Sequence, residues 1–260
     1  VRDALGLAAA APAEDFAPRE DLGHGVTTAP EWDAGREMCL HHERSYGADL
    51  PAVLLLACPR PAATGGVTLL ADTRAVLAAL PPELVRRFER HGWELTRNFR
   101  PFFGLPWATA HGTADPGELT TRLAARDVTA DWRADGTLHT TQRRAAVVRH
   151  PATGERCWFN ELAFFSGWSV DAAEREVLLA TFGPDGLPFT TAAGDGTPLD
   201  RDEFQAVLDA YDAVAREHEW RPGDVLVLDN VLTAHGRTPF TGERTLLVAP
   251  AAPIPHPGPA

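Results

Sequence analysis

The sequence predicts an all-β core with helical insertions, an α+β chain whose strands form a double-sheet jelly roll. Many short apolar runs are bounded by Pro, Gly or Asp, which is typical of strands joined by tight turns. Segments with helical spacing are collected in insertions, and this arrangement favours a jelly roll over a doubly wound sheet. The chain has 260 residues and no repeat or internal linker, so we expect a single core.

The first 22 residues differ in composition from the rest of the chain. Residues 1–22 are rich in Ala and Pro with scattered acids, which predicts a peripheral arm, and residues 23–260 are predicted to form one domain. The apolar run GLAAAAPA in this arm contains proline and has no basic segment before it. It is also too short to cross a membrane, so we expect neither a signal peptide nor a membrane span.

The predicted strands are apolar runs that follow one another between turn residues. They cover residues 38–46, 53–58, 65–72, 145–149, 156–160, 225–229 and 243–249, with a hairpin turn at residues 134–136. Residues 96–107 are rich in Arg and aromatic residues and are predicted to be a loop. In that loop Phe102, Phe103 and Trp107 would form either a lid or a satellite core.

The predicted helices begin at residues that can cap a first turn. Asp200 and Glu203 form a capping-box pair before apolar residues at helical spacing, which makes this the clearest helix of the chain. The other starts are Asp72, Pro82, Asp115 with Pro116, and Ser169.

Composition excludes several classes of function. The net charge of −12 and the pI near 5.2 give no general attraction to nucleic acid or to anionic membranes. All 24 basic residues are arginine. The lack of lysine excludes pyridoxal phosphate enzymes, Schiff-base aldolases and P-loop NTPases, each of which needs a lysine amine.

Three widely spaced cysteines complete the composition. Cys39, Cys58 and Cys157 form no C-x-x-C pair, so neither a zinc knuckle nor a disulfide framework is predicted. A reducing cytoplasm is the expected location.

The motif HHERSY, residues 41–46, carries the first candidate ligands. Because side chains at i and i+2 leave the same face of a strand, His41 and Glu43 would project together while His42 points the other way. A second histidine from a distant segment would complete the 2-His-1-carboxylate triad that holds Fe(II). The candidate is His235, directly after the strand VLVLD.

An arginine and a threonine complete the predicted site. Arg244 lies at the start of the last strand, nine residues after His235, and could bind a carboxylate through two parallel N–H···O bonds. A facial triad with a buried arginine is the requirement for 2-oxoglutarate, whose keto acid end chelates iron. Thr68 could donate its hydroxyl to the far carboxylate.

Five motifs together are similar to those of one enzyme family. HHERSY, GGVTLLADTR, HPATGERCWFN, WRPGDVLVLDN and AHGRTPFTGER resemble the TauD/TfdA family of Fe(II)/2-oxoglutarate oxygenases, in order from about Asp21 to Ala249. The branch is similar to amino-acid hydroxylases of nonribosomal peptide and antibiotic pathways. The resemblance implies a double-stranded β-helix, the cupin-like jelly roll.

The resemblance also implies roles for individual residues. His41, Glu43 and His235 would bind iron, and Thr68 and Arg244 would contact 2-oxoglutarate. Oxidative decarboxylation of 2-oxoglutarate by O2 would then drive hydroxylation of the substrate. Related halogenases lack the carboxylate ligand, so the presence of Glu43 favours oxygen insertion. Desaturation, epoxidation or cyclisation remain alternatives, since all of them share the initial oxidation.

The substrate is expected to be a small amino-acid-like molecule, free or tethered to a carrier protein. The candidate contacts are Asn160, Glu161, Arg97 and Arg237, polar residues near the proposed site. The family often has Gln where this chain has Glu161. Docking of an acidic carrier would need a basic patch, and residues 86–90 of one helix supply three arginines.

Two other interpretations would place the protein in different functional classes. A zinc hydrolase also uses two histidines and a glutamate, but the H-E-x-x-H helix is absent. A non-catalytic jelly-roll binding protein would keep these histidines as ordinary core residues. Neither alternative predicts decarboxylation of 2-oxoglutarate.

Overall fold

The computed structural model describes residues 1–10, 16–100 and 104–260. Sixteen β-strands and six α-helices lie within these residues. The strands are β1 (Thr27–Thr28), β2 (Met38–His41), β3 (Asp49–Arg60), β4 (Thr64–Gly65), β5 (Thr68–Asp72), β6 (Trp93–Phe99), β7 (Val128–Trp132), β8 (Leu138–Arg144), β9 (Val147–Arg149), β10 (Arg156–Trp158), β11 (Phe189–Ala193), β12 (Arg216–His218), β13 (Val225–Asp229), β14 (Thr233–Arg237), β15 (Phe240–Thr241) and β16 (Thr245–Pro255). The helices are α1 (Thr73–Ala79), α2 (Pro82–His91), α3 (Trp107–His111), α4 (Pro116–Ala124), α5 (Ala172–Phe182) and α6 (Arg201–Val214).

Two four-stranded antiparallel sheets form the core. The first has the strand order β1–β16–β3–β13 and the second β12–β5–β14–β2. Leu56 and Val248 of the first sheet and Thr68 and His235 of the second line one cavity, so the two sheets face each other across it. The predicted all-β jelly roll with helical insertions is confirmed.

A third four-stranded sheet, β11–β6–β8–β7, contains a strand that the sequence analysis missed. Residues 96–107 were predicted to be a loop, but β6 continues to Phe99 and pairs with β8 along its whole length. Apolar and polar residues alternate from Trp93, and the Arg97 guanidinium lies over the Phe99 ring, 4.6 Å from its centroid. This stacking covers the cation and lets an arginine occupy a buried strand position.

Of the three aromatic residues predicted to form either a lid or a satellite core, the structure describes one. The ring of Trp107 meets that of Trp132 edge-on, with centroids 4.9 Å apart, in an apolar cluster under the third sheet. For Trp107 the satellite-core alternative is therefore correct. Phe102 and Phe103 lie outside the described residues.

The helices begin and end close to the predicted residues. The Asp72 side chain accepts a hydrogen bond from the backbone of Arg74 at the start of α1. Both bonds of the capping box between Asp200 and Glu203 are present at the start of α6. Gly92 ends α2 with a φ of +67°, and a Cβ there would lie 2.3 Å from the Arg144 carbonyl oxygen. Only glycine fits this position.

The N-terminal residues lie against the sheets. Ala9 bridges Ala251 of β16, and the Phe16 ring meets those of Phe164 and Phe165 with centroids 5.3 and 5.2 Å away. The boundary at residue 22 between an arm and a single domain stays a prediction. Among the described residues, no helix is both long enough and apolar enough to cross a membrane.

Candidate metal centre

The five residues predicted to bind iron and 2-oxoglutarate line a single cavity. It has a volume of about 280 Å³ and opens between the two core sheets. His41, Glu43, Thr68, His235 and Arg244 all contribute to its wall. The structure therefore brings together residues that are up to 203 positions apart, from His41 to Arg244.

The two histidines are directly opposite each other on paired strands. His235 of β14 is the register partner of His41 of β2, and their ring centroids are 4.4 Å apart. His235 thus lies inside a strand rather than in the turn after VLVLD. Direct cross-strand partners have Cβ atoms about 4.5–5.5 Å apart, so the ladder itself sets the spacing of the two imidazoles.

A β-bulge next to this pair depends on a glycine. The register shifts between His235 and Arg237, because Arg237 is paired with Met38 instead of Cys39. A Cβ at Gly236 would lie 2.7 Å from the Met38 carbonyl oxygen and 3.2 Å from the nitrogen of Leu40. The close approach of the two strands at the histidine pair therefore requires glycine.

Both imidazoles are in the state that binds metals. His41 Nδ1 lies 2.9 Å from the Cys39 carbonyl oxygen, so Nδ1 carries the proton and Nε2 keeps a free lone pair. Nδ1 of His235 is buried and has no hydrogen-bond partner among the described residues. Burial lowers the pKa of both histidines, so each is neutral at neutral pH.

Glu43 lines the same cavity but does not lie on the strand. β2 ends at His41 and Glu43 is in the following turn, so the prediction that both extend one strand face is wrong. Its Oε1 atom lies 3.8 Å from Nη1 of Arg19. Among the described residues, no three His, Cys, Asp or Glu side chains are close enough together to hold a metal ion. The imidazoles are in contact, and the carboxylate faces Arg19.

Asn230 holds the turn that carries Glu43. Its side chain is fully buried and bonds to the backbone nitrogen and oxygen of Glu43, each at 2.9 Å. This residue lies in the motif WRPGDVLVLDN, but the sequence analysis gave it no role. A polar residue directly after the predicted strand at residues 225–229 was the signal that could have identified it.

His42 belongs to the core. It is fully buried, and its Nδ1 atom lies 3.2 Å from the carbonyl oxygen of Asn160. Its ring meets the Phe159 ring edge-on, with centroids 4.6 Å apart. Burial lowers its pKa to about 3, so it stays neutral. His42 does not line the cavity that contains His41 and His235.

The other end of the cavity is suited to an anion. Burial, together with the nearby charge of Arg237, lowers the pKa of Arg244 to about 10, at which the guanidinium is still protonated at neutral pH. Among the described residues no carboxylate pairs with it, and its Nε has no hydrogen-bond partner. A desolvated cation of this kind is stabilised by an incoming carboxylate.

Trp220 sets the direction of the Thr68 hydroxyl. Its Nε1–H donates to Thr68 Oγ1 at 2.8 Å, and both side chains are buried. Because the hydroxyl oxygen accepts this bond, its own hydrogen remains available to donate into the cavity. Trp220 also lies in the motif WRPGDVLVLDN and was missed as a site residue.

The four predicted substrate contacts have different surroundings. Glu161 lines a second cavity of about 40 Å³, where it accepts hydrogen bonds from the Ser45 nitrogen and hydroxyl at 3.0 and 3.2 Å. Burial raises the pKa of its carboxyl well above the usual range. The side chain of Asn160 is buried and bonds to the backbone of Ala146 and Leu162.

The two arginines among these candidates also contact the protein itself. Arg237 lines the large cavity, but its guanidinium donates to backbone carbonyls, including that of Asp33 at 2.9 Å. Arg97 lies in β6, stacked over Phe99, and lines neither cavity. The structure therefore brings only Glu161 and Arg237 of the four to the cavities.

Comparisons with known proteins agree with this geometry. The family model described as taurine catabolism dioxygenase TauD, TfdA family matches residues 10–249. The chain is 33% identical over 236 residues to the dapdiamide synthesis protein DdaC of Enterobacter agglomerans, covering 91% of this chain and 72% of that protein. It is 26% identical over 244 residues to a clavaminate synthase-like protein of Arabidopsis thaliana, covering 90% and 70%.

A solved structure shares the fold. It is an asparagine oxygenase in complex with Fe(II), 3-hydroxyasparagine and succinate, with a TM-score of 0.50 and 16% sequence identity. The match covers 91% of this chain, which spans 60% of the length of that oxygenase chain.

Proposed function

Because the chain belongs to the taurine catabolism dioxygenase TauD, TfdA family, we propose that it hydroxylates an aliphatic C–H bond of an amino-acid-like substrate in specialised metabolism. Family membership makes the chain an Fe(II)/2-oxoglutarate-dependent dioxygenase that uses O2, which removes the zinc-hydrolase and non-catalytic alternatives. The similar dapdiamide synthesis protein supports a biosynthetic role. The resemblance of the motifs to amino-acid hydroxylases supports the substrate class.

One observation carries the proposal for the site. Two neutral imidazoles in contact and one desolvated guanidinium line the same cavity, and no carboxylate among the described residues pairs with that guanidinium. We propose His41, His235 and Glu43 as the iron ligands. The donor set fits a divalent iron, since the Cys39 carbonyl fixes the His41 tautomer and a buried nitrogen of His235 lacks a partner among the described residues.

Bound iron would supply the activation of O2 that couples decarboxylation of 2-oxoglutarate to oxidation of the substrate. The protein residues bind and orient the cosubstrate. Arg244 would bind its far carboxylate, and Thr68 would donate a hydroxyl hydrogen to the same group while Trp220 holds its oxygen. Apolar side chains on the opposite wall, including Leu56, Leu246 and Val248, would exclude water.

The second cavity is the proposed substrate side. It shares His41 and Glu43 with the large cavity and adds the rings of Phe16 and Phe164 and the carboxyl of Glu161. Polar groups beside aromatic rings in a cavity wall usually fix the orientation of a ligand, so we propose Glu161 as a substrate contact. Arg237 lines the large cavity and stays a proposed substrate contact, as do Asn160 and Arg97, although these two line neither cavity.

The proposed substrate is an amino-acid-like molecule that is free in solution. The basic patch needed for a carrier protein is partly neutralised, since Arg86 pairs with Glu83, and Arg87 pairs with Glu203 at 2.8 Å. The proposed location is the cytoplasm, where the three free cysteines would stay reduced.

Anaerobic addition of Fe(II) and 2-oxoglutarate tests the site. We expect a visible charge-transfer band in the wild-type protein and loss of all turnover in Glu43→Ala. His42→Ala is the matched control and should keep the band, because His42 does not line the large cavity. Well-folded wild-type protein without a band would contradict the proposal, as would loss of the band in folded His42→Ala protein.

A mass-spectrometric screen tests the reaction. Candidate amino acids, free and carrier-bound, are incubated with Fe(II), 2-oxoglutarate and O2. A free substrate that gains one oxygen atom supports hydroxylation. Loss of two hydrogens identifies desaturation or ring closure, and oxidation of carrier-bound amino acids alone would contradict a free substrate.

A further inference from the structure

Both backbone polar groups of Glu43 are bound by one side chain from a distant part of the chain. Because β2 ends at His41, the backbone of Glu43 has no partner in the strand ladder. The Asn230 side chain takes the place of that partner. Its Oδ1 accepts from the Glu43 nitrogen at 2.9 Å, and its Nδ2 donates to the Glu43 carbonyl oxygen at 2.9 Å.

The same amide also binds β3. Asn230 Nδ2 donates a second bond to the Pro51 carbonyl oxygen at 2.8 Å, and the Asn230 backbone nitrogen donates to Ala52 at 2.9 Å. The oxygen of the amide faces a donor and its nitrogen faces two acceptors, which defines the orientation of the side chain. A fully buried amide with every group paired is a rigid connection.

Asn230 joins the two segments that carry the proposed ligands. It lies between β13 and β14, five residues before His235, and it reaches the turn two residues after His41. The Asn230 side chain therefore fixes the Glu43 turn against the segment that leads to His235. The positions of the Glu43 carboxylate and the His235 imidazole therefore both depend on the buried amide of Asn230.

We propose that Asn230 is a positioning residue that holds the Glu43 carboxylate within reach of the metal. The inference rests on the proposed function, since it takes Glu43 as a ligand. Asn230 lines neither cavity and acts through the backbone of Glu43. Groups that orient metal ligands commonly change metal affinity by about 10–100-fold when they are removed.

Titration calorimetry of the metal-free protein with Ni(II) measures this effect without turnover. Ni(II) binds imidazoles more tightly than Fe(II), so binding stays measurable in weakened variants. We expect Asn230→Ala to raise the dissociation constant by about 10–100-fold. The matched control is Asn98→Ala. Asn98 is also buried and donates to a backbone carbonyl, that of Leu187, but it lies in the third sheet. It should leave the dissociation constant unchanged.

A double-mutant cycle separates positioning from general damage. If Asn230 acts through Glu43, then Asn230→Ala should have no further effect on Ni(II) binding once Glu43→Ala has removed the carboxylate. An equal loss of affinity in both backgrounds would overturn the inference. Should Asn230→Ala fail to fold, Asn230→Asp is used in the same cycle, since it keeps the shape and loses the donors to Glu43 and Pro51.

The two proposals fail in different ways. Absence of Ni(II) binding to the wild-type protein would contradict the proposed metal site itself. Normal binding by the wild type and equally tight binding by Asn230→Ala would overturn only the role of Asn230.

Discussion

The histidines and the carboxylate of the candidate metal centre are held in different ways. His41 and His235 are register partners on two paired strands, and β14 is also paired with β5 on its other side. Glu43 lies in a turn that is held by contacts with distant residues, including Asn230 on the Glu43 backbone and Glu161 on Ser45. The histidine half of the site is built into a sheet, and the carboxylate half is built on a turn.

This difference explains the arrangement of the three side chains. A ladder fixes each residue through several hydrogen bonds, so the imidazoles are already 4.4 Å apart. A turn constrains the direction of a side chain less than a ladder does. The Glu43 Oε1 atom lies 3.8 Å from Nη1 of Arg19. Metal binding by Glu43 would therefore require its carboxylate to turn away from Arg19.

The largest expected effect on metal binding comes from replacing one of the two histidines on the paired strands. His235→Ala should abolish binding of Fe(II) and Ni(II) and all turnover, whereas Glu43→Ala should abolish turnover but retain weakened Ni(II) binding. Metal titration followed by calorimetry distinguishes the two variants, with His91→Ala on α2 as the control. If Glu43→Ala lost all metal binding and His235→Ala kept it, the carboxylate on the turn would be the main metal ligand, contrary to this prediction.

The second effect concerns the arginine at the far end of the cavity. Arg244→Ala should weaken 2-oxoglutarate binding by about 1.5–3 kcal/mol, the contribution of a hydrogen bond to a charged group. This corresponds to roughly 10–150-fold in the dissociation constant, measured by anaerobic titration of the Fe(II) protein. Arg60→Ala is the control, because Arg60 pairs with Glu243 on the surface. Equal losses in both variants would assign the effect to net charge rather than to Arg244.

A smaller effect is expected at Trp220. Trp220→Phe keeps the ring but removes the N–H that binds Thr68, which should weaken 2-oxoglutarate binding by about 0.5–1.5 kcal/mol. The turnover number at saturating 2-oxoglutarate should not change. Trp168→Phe loses a similar bond, to the Leu199 carbonyl, and serves as the control. An unchanged affinity in Trp220→Phe would show that the Thr68 hydroxyl needs no orienting partner.

A pH-dependent effect on stability concerns a buried histidine outside both halves of the site. Burial lowers the pKa of His256 from its ordinary value of 6.5 to about 4. The unfolded chain therefore binds more protons than the folded one between these pH values, and the contribution to stability is complete above pH 6.5 and lost as the pH falls toward 4.

Urea unfolding of the metal-free protein at a series of pH values measures this contribution. The free energy of unfolding should fall less steeply with decreasing pH in His256→Leu than in the wild type. Ni(II) binding at neutral pH should stay unchanged, because His256 lines neither cavity. An identical pH dependence in the two proteins would contradict the lowered pKa.

Local patterns predicted the parts of the fold that local interactions determine. The capped helices α1, α2 and α6 and the buried run in β3 follow from residues a few positions apart. β11 and β12 were missed, because their polar or small residues become strand-like only by pairing with distant strands. β6 was missed although its residues alternate from Trp93, because most of it was assigned to the Arg-rich and aromatic loop. Pairing partners are not visible in a single sequence.

The candidate site likewise contains residues that could be predicted from the sequence and residues that could not. The resemblance of five motifs identified the residues that share the cavity, and the alternation of strand side chains gave a reason to choose His41 over His42. The alternation argument was wrong for Glu43, since the strand ends two residues earlier. Asn230 and Trp220 act through contacts with Glu43 and Thr68, at separations of 187 and 152 residues. Only three-dimensional proximity gives them a role.

The bulged pairing of β2 with β14 limits how this protein can be altered. β2 is an edge strand of four residues, and its register next to Gly236 decides which side of the sheet each side chain faces. Inserting or deleting one residue there would turn His41 away from the cavity. The segment therefore cannot change in length without loss of the site. Insertions for engineering belong in the exposed turn at residues 134–136, between β7 and β8 of the third sheet.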